Sequence, residues 1–288
     1  MRRLIVNADD FGMCTGSVEG ILHGHRQGIV TSTSLMTGMP AARLAAEAAH
    51  SSPSLDVGVH LTYTEGRPVL PATEVPSLLG GRGAFLKALA WLATRRQPDL
   101  AELEREFRAQ IERCRAWGIE PSHLDLHTAI SYLHEGVFAL TVKLAAEQGL
   151  AIRLPFGEGW ERMVPAAAAA TGLPPARIRG IMEGYRGLVA ASGVPHPDRF
   201  VDAFGGPGTR GGESLARIIA GLGEGTSEIL THPARLRGSL RALGPFAFRR
   251  AAELSALCSP RARQALRDGG IDLVTFRSLV RRFRGNIS

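Results

Sequence analysis

Short apolar runs alternate with amphipathic stretches along the whole chain. Leu4–Ala8 has no helical spacing and predicts a buried strand. Ser17–Gln27 predicts a helix stopped by Gly28, Ile29–Met36 a Thr- and Val-containing strand, Ala41–His50 an Ala-rich helix, and Val57–Leu61 a third strand. The firmest helix is Leu100–Trp117: Leu103, Phe107, Ile111 and Cys114 recur at three- and four-residue steps, and Gly118 ends the pattern. Ser122–Leu126 (strand), Val137–Gln148 (helix), Ala151–Leu154 and Arg199–Ala203 (strands) follow. The last third predicts helices near Ser214–Leu222, Phe246–Leu257 and Arg261–Arg267, with strands at Glu228–Thr231 and Asp272–Phe276. The Ala166–Ala170 tract, bracketed by Pro165 and Gly172-Leu173-Pro174-Pro175, reads as a short surface helix or a loop.

Strands separated by helices imply parallel pairing through right-handed crossovers, and so an α/β fold. At 288 residues the chain fits one barrel-like domain over residues 1–288, with an open doubly wound sheet as the competing architecture. No GxGxxG follows the first strand and no GxxxxGK[ST] occurs, so dinucleotide and P-loop sites lose support. Thr62–Gly83 and Pro155–Pro197 are long for βα loops, and such loops are where barrels place function.

Composition changes this picture little. Apolar residues make up 44% and charged residues 21%, which is ordinary for a globular protein. The net charge is +7, and all but two of the 34 basic residues are arginine. They are scattered, with clusters only around Arg249–Arg250 and Arg281–Arg284, and aromatic content is 6%. A nucleic-acid partner is therefore not expected. The apolar start Leu4-Ile5-Val6 is too short for a signal segment, and nothing approaches the ~18 apolar residues of a membrane span. Three widely spaced cysteines, Cys14, Cys114 and Cys258, read as free thiols in a reducing compartment. A cytoplasmic location is the expectation, with homo-oligomer formation left open.

The candidate chemistry lies at strand ends. Asp9-Asp10 close the first strand, His60 the third, His127 the fourth and His232 the seventh, while the fifth carries Arg153 and the sixth Asp202. In parallel α/β folds these ends form one rim, so residues distant in sequence converge. His123, Asp125 and His127 alternate along one strand, so they share a face and could form part of a metal shell or a structural hydrogen-bond network. One Asp and two His suit a divalent ion with open positions, Mg or Zn foremost. Of two adjacent carboxylates, one can bind the ion while the other stays free as a base, and a histidine opposite could protonate a leaving group. The set suits hydrolysis of an amide or ester. A catalytically silent binding protein of the same fold and a non-haem iron oxygenase are the alternatives from other classes; the second carboxylate argues against both.

At these residues the chain resembles the YdjC-like carbohydrate deacetylase family. The matching segments are Asn7–Gly12, Gly28–Met36, Gly58–Thr62 with Glu65–Leu70, His123–His127, and Thr231-His232-Pro233, in order to about Leu279. The resemblance implies a seven-stranded, distorted (β/α) barrel and removal of the acetyl group from an acetylated amino sugar. It implies Asp10, His60 and His127 as metal ligands, Asp9 as general base, His232 as general acid, and Arg153 as the residue that orients Asp9. The family often carries further histidines after the second His of HxDxH, where this chain has Thr128-Ala129-Ile130-Ser131. The long Pro155–Pro197 segment and Arg-rich tail are more similar to the hopanoid-associated branch, which acts on glycosylated lipids.

Overall fold

A computed structural model describes residues 1–94, 96–155, 161, 164–204, 211–237 and 245–285. The order is β1 (Arg2–Phe11), α1 (Thr15–Gln27), β2 (Ser32–Leu35), α2 (Ala42–His50), β3 (Asp56–Leu61), α3 (Ala88–Thr94), α4 (Leu100–Ala116), β4 (His123–Leu126), α5 (Glu135–Gln148) and β5 (Ala151–Ile152). Then come α6 (Val164–Thr171), α7 (Pro175–Ser192), β6 (Arg199–Asp202), α8 (Gly212–Ala220), β7 (Gly225–Thr231), α9 (Pro245–Leu257), α10 (Pro260–Gly269), β8 (Ile271–Leu273) and α11 (Phe276–Gly285).

The strands pair in the order β5-β4-β3-β2-β1-β7-β6, all parallel. From Leu4 to Phe11, β1 is buried throughout, as a central strand covered on both faces must be. Beside Arg2–Leu4, below the start of β2, the short β8 takes an extra seat against β1. The sheet curls into an open, distorted barrel. Its edge strands β5 and β6 are not paired with each other, yet the Arg153 guanidinium, just past β5, sits 5.7 Å from the Phe200 ring of β6.

Beyond α3, which the sequence reading lacks, two segments differ from it. Pro155–Pro197 is not an open loop: its described part carries α6 and α7, while residues 156–160 and 162–163 lie outside the described residues. Alanine's high helix propensity accounts for α6. In α7 the buried stripe Ile178, Ile181, Met182, Tyr185 and Val189 has helical spacing, but Gly180, Gly184 and Gly187 between them masked it. The expected strand Asp272–Phe276 ends at Leu273, and Phe276 instead opens α11. Phe276 is fully buried and packs with Ile5 and Ala151, closing the barrel floor. The 62–83 segment does run as a chain of short 3-10 turns. The buried Glu106 of α4 ties it down by accepting the Val69 and Leu70 N–H groups at 2.8 and 3.0 Å.

Candidate metal and acid-base site

Asp9 and Asp10 leave β1 at the rim, where side chains of an ideal strand would point to opposite faces. The structure breaks that alternation at Asp10, which has φ +68°, and the register with β2 slips between Ala8 and Phe11. Such a bulge re-aims a side chain, and aspartate is among the few residues that tolerate the left-handed region. Both carboxylates therefore reach the barrel interior, and both are buried.

Asp10, His60 and His127 converge. Asp10 Oδ1 lies 3.5 Å from His60 Nε2 and 3.3 Å from His127 Nδ1, and the two nitrogens are 3.3 Å apart. Tetrahedral ligands at about 2.0–2.2 Å from an ion are themselves about 3.4 Å apart, so this triangle has the right size for one divalent ion. Asp10 Oδ1 is buried with no hydrogen-bond partner, which is what a ligand atom looks like without its ion. The residues present fit such a group.

The surrounding shell orients these donors. His60 Nδ1 donates to Asp125 Oδ1 at 2.7 Å, which turns Nε2 toward the triangle. Asp125 Oδ2 accepts from Ser34 Oγ at 2.6 Å and sits 3.1 Å from Arg153 Nη2. Burial opposes charge on His60, but Asp125, Asp9 and Asp10 outweigh it and lift the imidazole to about 9. Burial likewise opposes charge on Asp10, yet Arg250, His127 and His232 hold its carboxyl well below the usual range. Three buried aspartates, two guanidinium groups and the imidazoles of His60 and His127 thus share one cluster.

Asp9 borders the triangle but is held by other partners. Arg153 Nη1 and Nη2 donate to its two oxygens, each at 2.7 Å, and Asn7 Nδ2 donates to Oδ1 at 2.8 Å. Its Oδ2 remains 3.6 Å from His60 Nε2. Arg153 Nε donates to the buried Glu228 of β7 at 2.7 Å. One arginine thereby spans β5, β1, β4 and β7 across the barrel.

A family model described as YdjC-like protein matches residues 3–268. The chain belongs to the YdjC-like protein family. Similar curated proteins include a carbohydrate deacetylase from Geobacillus stearothermophilus, 33% identical over 97% of this chain and 99% of its own length. Carbohydrate deacetylase 1 from Listeria innocua is 32% identical over 96% of this chain and 100% of its own. A solved Enterococcus faecalis structure, of a protein proposed to cleave cellobiose phosphate, superimposes with a TM-score of 0.78 at 28% identity, covering 96% of this chain and 98% of that one.

In this YdjC-like chain, Asp9, Asp10, His60, His127 and Arg153 meet in one cluster. His232 follows β7 on the same rim, close enough to depress the Asp10 carboxyl, and its backbone N–H donates to buried Glu253 at 2.5 Å. Asp202 is not among the grouped ligand atoms: its Oδ1 accepts the Phe204 N–H at 3.3 Å in a local turn. His123 corrects the idea of a three-residue polar stripe facing an ion. It sits at the other end of β4, stacked on Phe276 at 3.8 Å, and burial pushes its imidazole down to about 4 despite nearby Asp125. It is a neutral core histidine. The cysteines are free thiols, and Cys14 packs against Ala234 and Ala247. In place of further histidines, Ser131 Oγ donates to the His127 carbonyl at 2.9 Å and Tyr132 Oη accepts the Leu126 N–H at 2.9 Å.

Three charged residues escaped the sequence reading. Glu228 had a signal, a carboxylate inside the apolar run of β7. Burial raises it to about 7, against the pull of Arg153. Arg250 and Glu253 had none, because one turn of an amphipathic helix shows which residues share a face, not what that face meets.

Proposed function

We propose that this chain is a divalent-metal-dependent hydrolase that removes the N-acetyl group from an acetylated amino sugar. The observation that carries the reading is the Asp10–His60–His127 triangle with a second buried carboxylate, Asp9, beside it. The carbohydrate deacetylases at about 33% identity over nearly the full length support the substrate class. Asp10, His60 and His127 would hold Mg or Zn. When bound, the ion polarises the acetyl carbonyl and eases ionisation of a water.

The chain's own groups do the rest. Asp9 accepts the proton of the water whose oxygen attacks the acetyl carbon. Arg153 keeps that carboxylate in one orientation through two charge-assisted bonds. As the C–N bond breaks, His232 gives a proton to the sugar nitrogen, releasing acetate and a free amine. A sugar-binding protein has no use for a base fixed beside a cation site.

A finer reading names a glycosylated lipid as substrate. A cavity of ≈ 590 Å³ supports it, with Leu92, Ile130, Leu133, Leu173 and Ile181 in its wall beside the polar Arg96, His134, Glu135 and Arg177. Tyr63 in its wall follows His60 by three residues, and Ile130 and Leu133 follow His127 by three and six, although no residue of the triangle itself lines it. The test is acetate release from N-acetylglucosamine, its oligomers and its alkyl glycosides, with and without chelator and with Mg or Zn restored. Chelator-sensitive release from the sugars is expected, with higher kcat/KM on the alkyl glycosides. Release that ignores the chelator overturns the metal reading, and no release from any acetylated sugar overturns the function.

A further inference from the structure

We infer that Arg250 is a positioning residue for the metal centre: it caps one oxygen of Asp10, so that only the other is presented to the ion. The inference rests on the reading of Asp10, His60 and His127 as ligands. A carboxylate has two oxygens and can hold a cation through one or both. Here Arg250 Nη2 donates to Asp10 Oδ2 at 2.5 Å, while Oδ1, with no hydrogen-bond partner, is the atom that faces the two imidazoles. The pair is buried, with the Asp10 side chain 1% and the Arg250 side chain 15% exposed, so solvent and salt screen it little.

The guanidinium is not a wandering surface group. Its helix, α9, is tied to the loop after β7 at two points one turn apart. The Ala234 N–H donates to the Arg250 carbonyl at 3.3 Å, and the His232 N–H donates to Glu253 Oε2 at 2.5 Å. Beneath that turn Ala247 packs on Cys14 and Ala234. One turn of α9 therefore grips the β1 ligand with Arg250 and the loop bearing His232 with Glu253. Asp10 has left the extended backbone, so the strand alone does not dictate which oxygen points inward; the cap on Oδ2 does. Restricting Asp10 to one oxygen leaves a coordination position free for water or the acetyl oxygen.

The experiment uses the full chain, stripped of metal and titrated with Co2+, whose visible absorption reports coordination number. Wild type, R250M and R250K are compared, together with acetate release. In R250M both Asp10 oxygens become available, so the Co2+ bands weaken and shift toward those of a higher coordination number. The ion is still bound, because a repelling cation has also been removed. In R250M kcat falls by roughly 10–100-fold. R250K keeps a cation at Oδ2, and should restore the wild-type spectrum and most of the rate. An R250M spectrum identical to wild type overturns the inference. Should R250M fail to fold, R250A, which likewise offers no donor to Oδ2, carries the same expectation and the same overturning result. A wild-type protein that gives no Co2+ spectrum overturns the metal reading itself, and is recognised without any variant.

Discussion

At the scale of single residues, the two neighbouring aspartates have different surroundings, and the proposed division of work between base and metal ligand rests on that difference. Asp9 is clasped by Arg153 and Asn7, whereas Asp10 keeps a bare oxygen toward His60 and His127. Asp9→Asn is therefore expected to keep its metal and fold and to lose about 10²–10⁴ in rate. Asp10→Asn is expected to bind metal weakly and to regain part of its activity at excess metal. Metal content and acetate release, measured side by side, check both; a fully active Asp9→Asn enzyme sends the search for the base to Asp125. His232→Ala should resemble Asp9→Asn, and be milder on acetylated substrates with better leaving groups. The choice of Asp9 and Asp10 as chemically distinct was legible in the sequence as two carboxylates at a strand end. Their joint inward aim was not, because it depends on one backbone angle at Asp10 that no residue pattern specifies.

Elements set the spacing of these residues. Strand β3 delivers His60 to the rim, while Gly58, two residues earlier, leaves room for a ring from β4. A Cβ on Gly58 would lie 2.4 Å from His123 Cε1 and 2.5 Å from its Nδ1. His123 cannot retreat, since Phe276 of α11 stacks on it. Gly58→Ala should cost about 1–3 kcal/mol by overpacking, read from urea unfolding. Phe276→Ala should cost about 3–5 kcal/mol, by opening a cavity in the barrel floor. An unchanged unfolding midpoint in Phe276→Ala would show that α11 is dispensable to the floor. Most strands and the longer amphipathic helices were legible, since burial writes period 2, period 3.6 or a plain apolar run into the chain. The exceptions were α7, whose glycines interrupt its stripe, and α11, whose arginines hide the face of buried Phe276 and partly buried Leu279 and Val280.

The whole molecule is a parallel barrel whose interior, at its upper end, is charged rather than apolar. Arg153 joins Asp9, Asp125 and Glu228 from three other strands, so closure of the barrel and ionisation of its core are linked. Glu228 carries the sign of that link. Its folded value of about 7 lies above the ordinary carboxyl value of 4.5, because burial outweighs Arg153. The folded state then holds more protons than the unfolded state between about pH 4.5 and 7, and stability falls as pH rises through that window. Relative to Glu228→Gln, the wild-type protein should be most stable below about pH 4.5 and lose that advantage toward pH 7; chemical unfolding at several pH values checks it. An advantage that grows with pH would mean that Arg153 dominates and Glu228 stays ionised. Among the described residues no helix is long and apolar enough to cross a membrane, in keeping with the absence of such a run in the sequence. By itself the sequence determined the alternation of strands and helices, the parallel sheet that follows from it, and the collection of Asp9, Asp10, His60, His127, Arg153 and His232 at one rim. These follow from local periodicity and from the rule that parallel strands end together. Only the tertiary structure decided that β5 curls back to β6 so that Arg153 clasps Asp9, that His123 lies in the floor while His127 reaches the triangle, and that α9 brings Arg250 onto Asp10. Those are contacts between segments up to 240 residues apart, and they depend on sheet curvature and helix docking, which neighbouring residues along the chain do not encode.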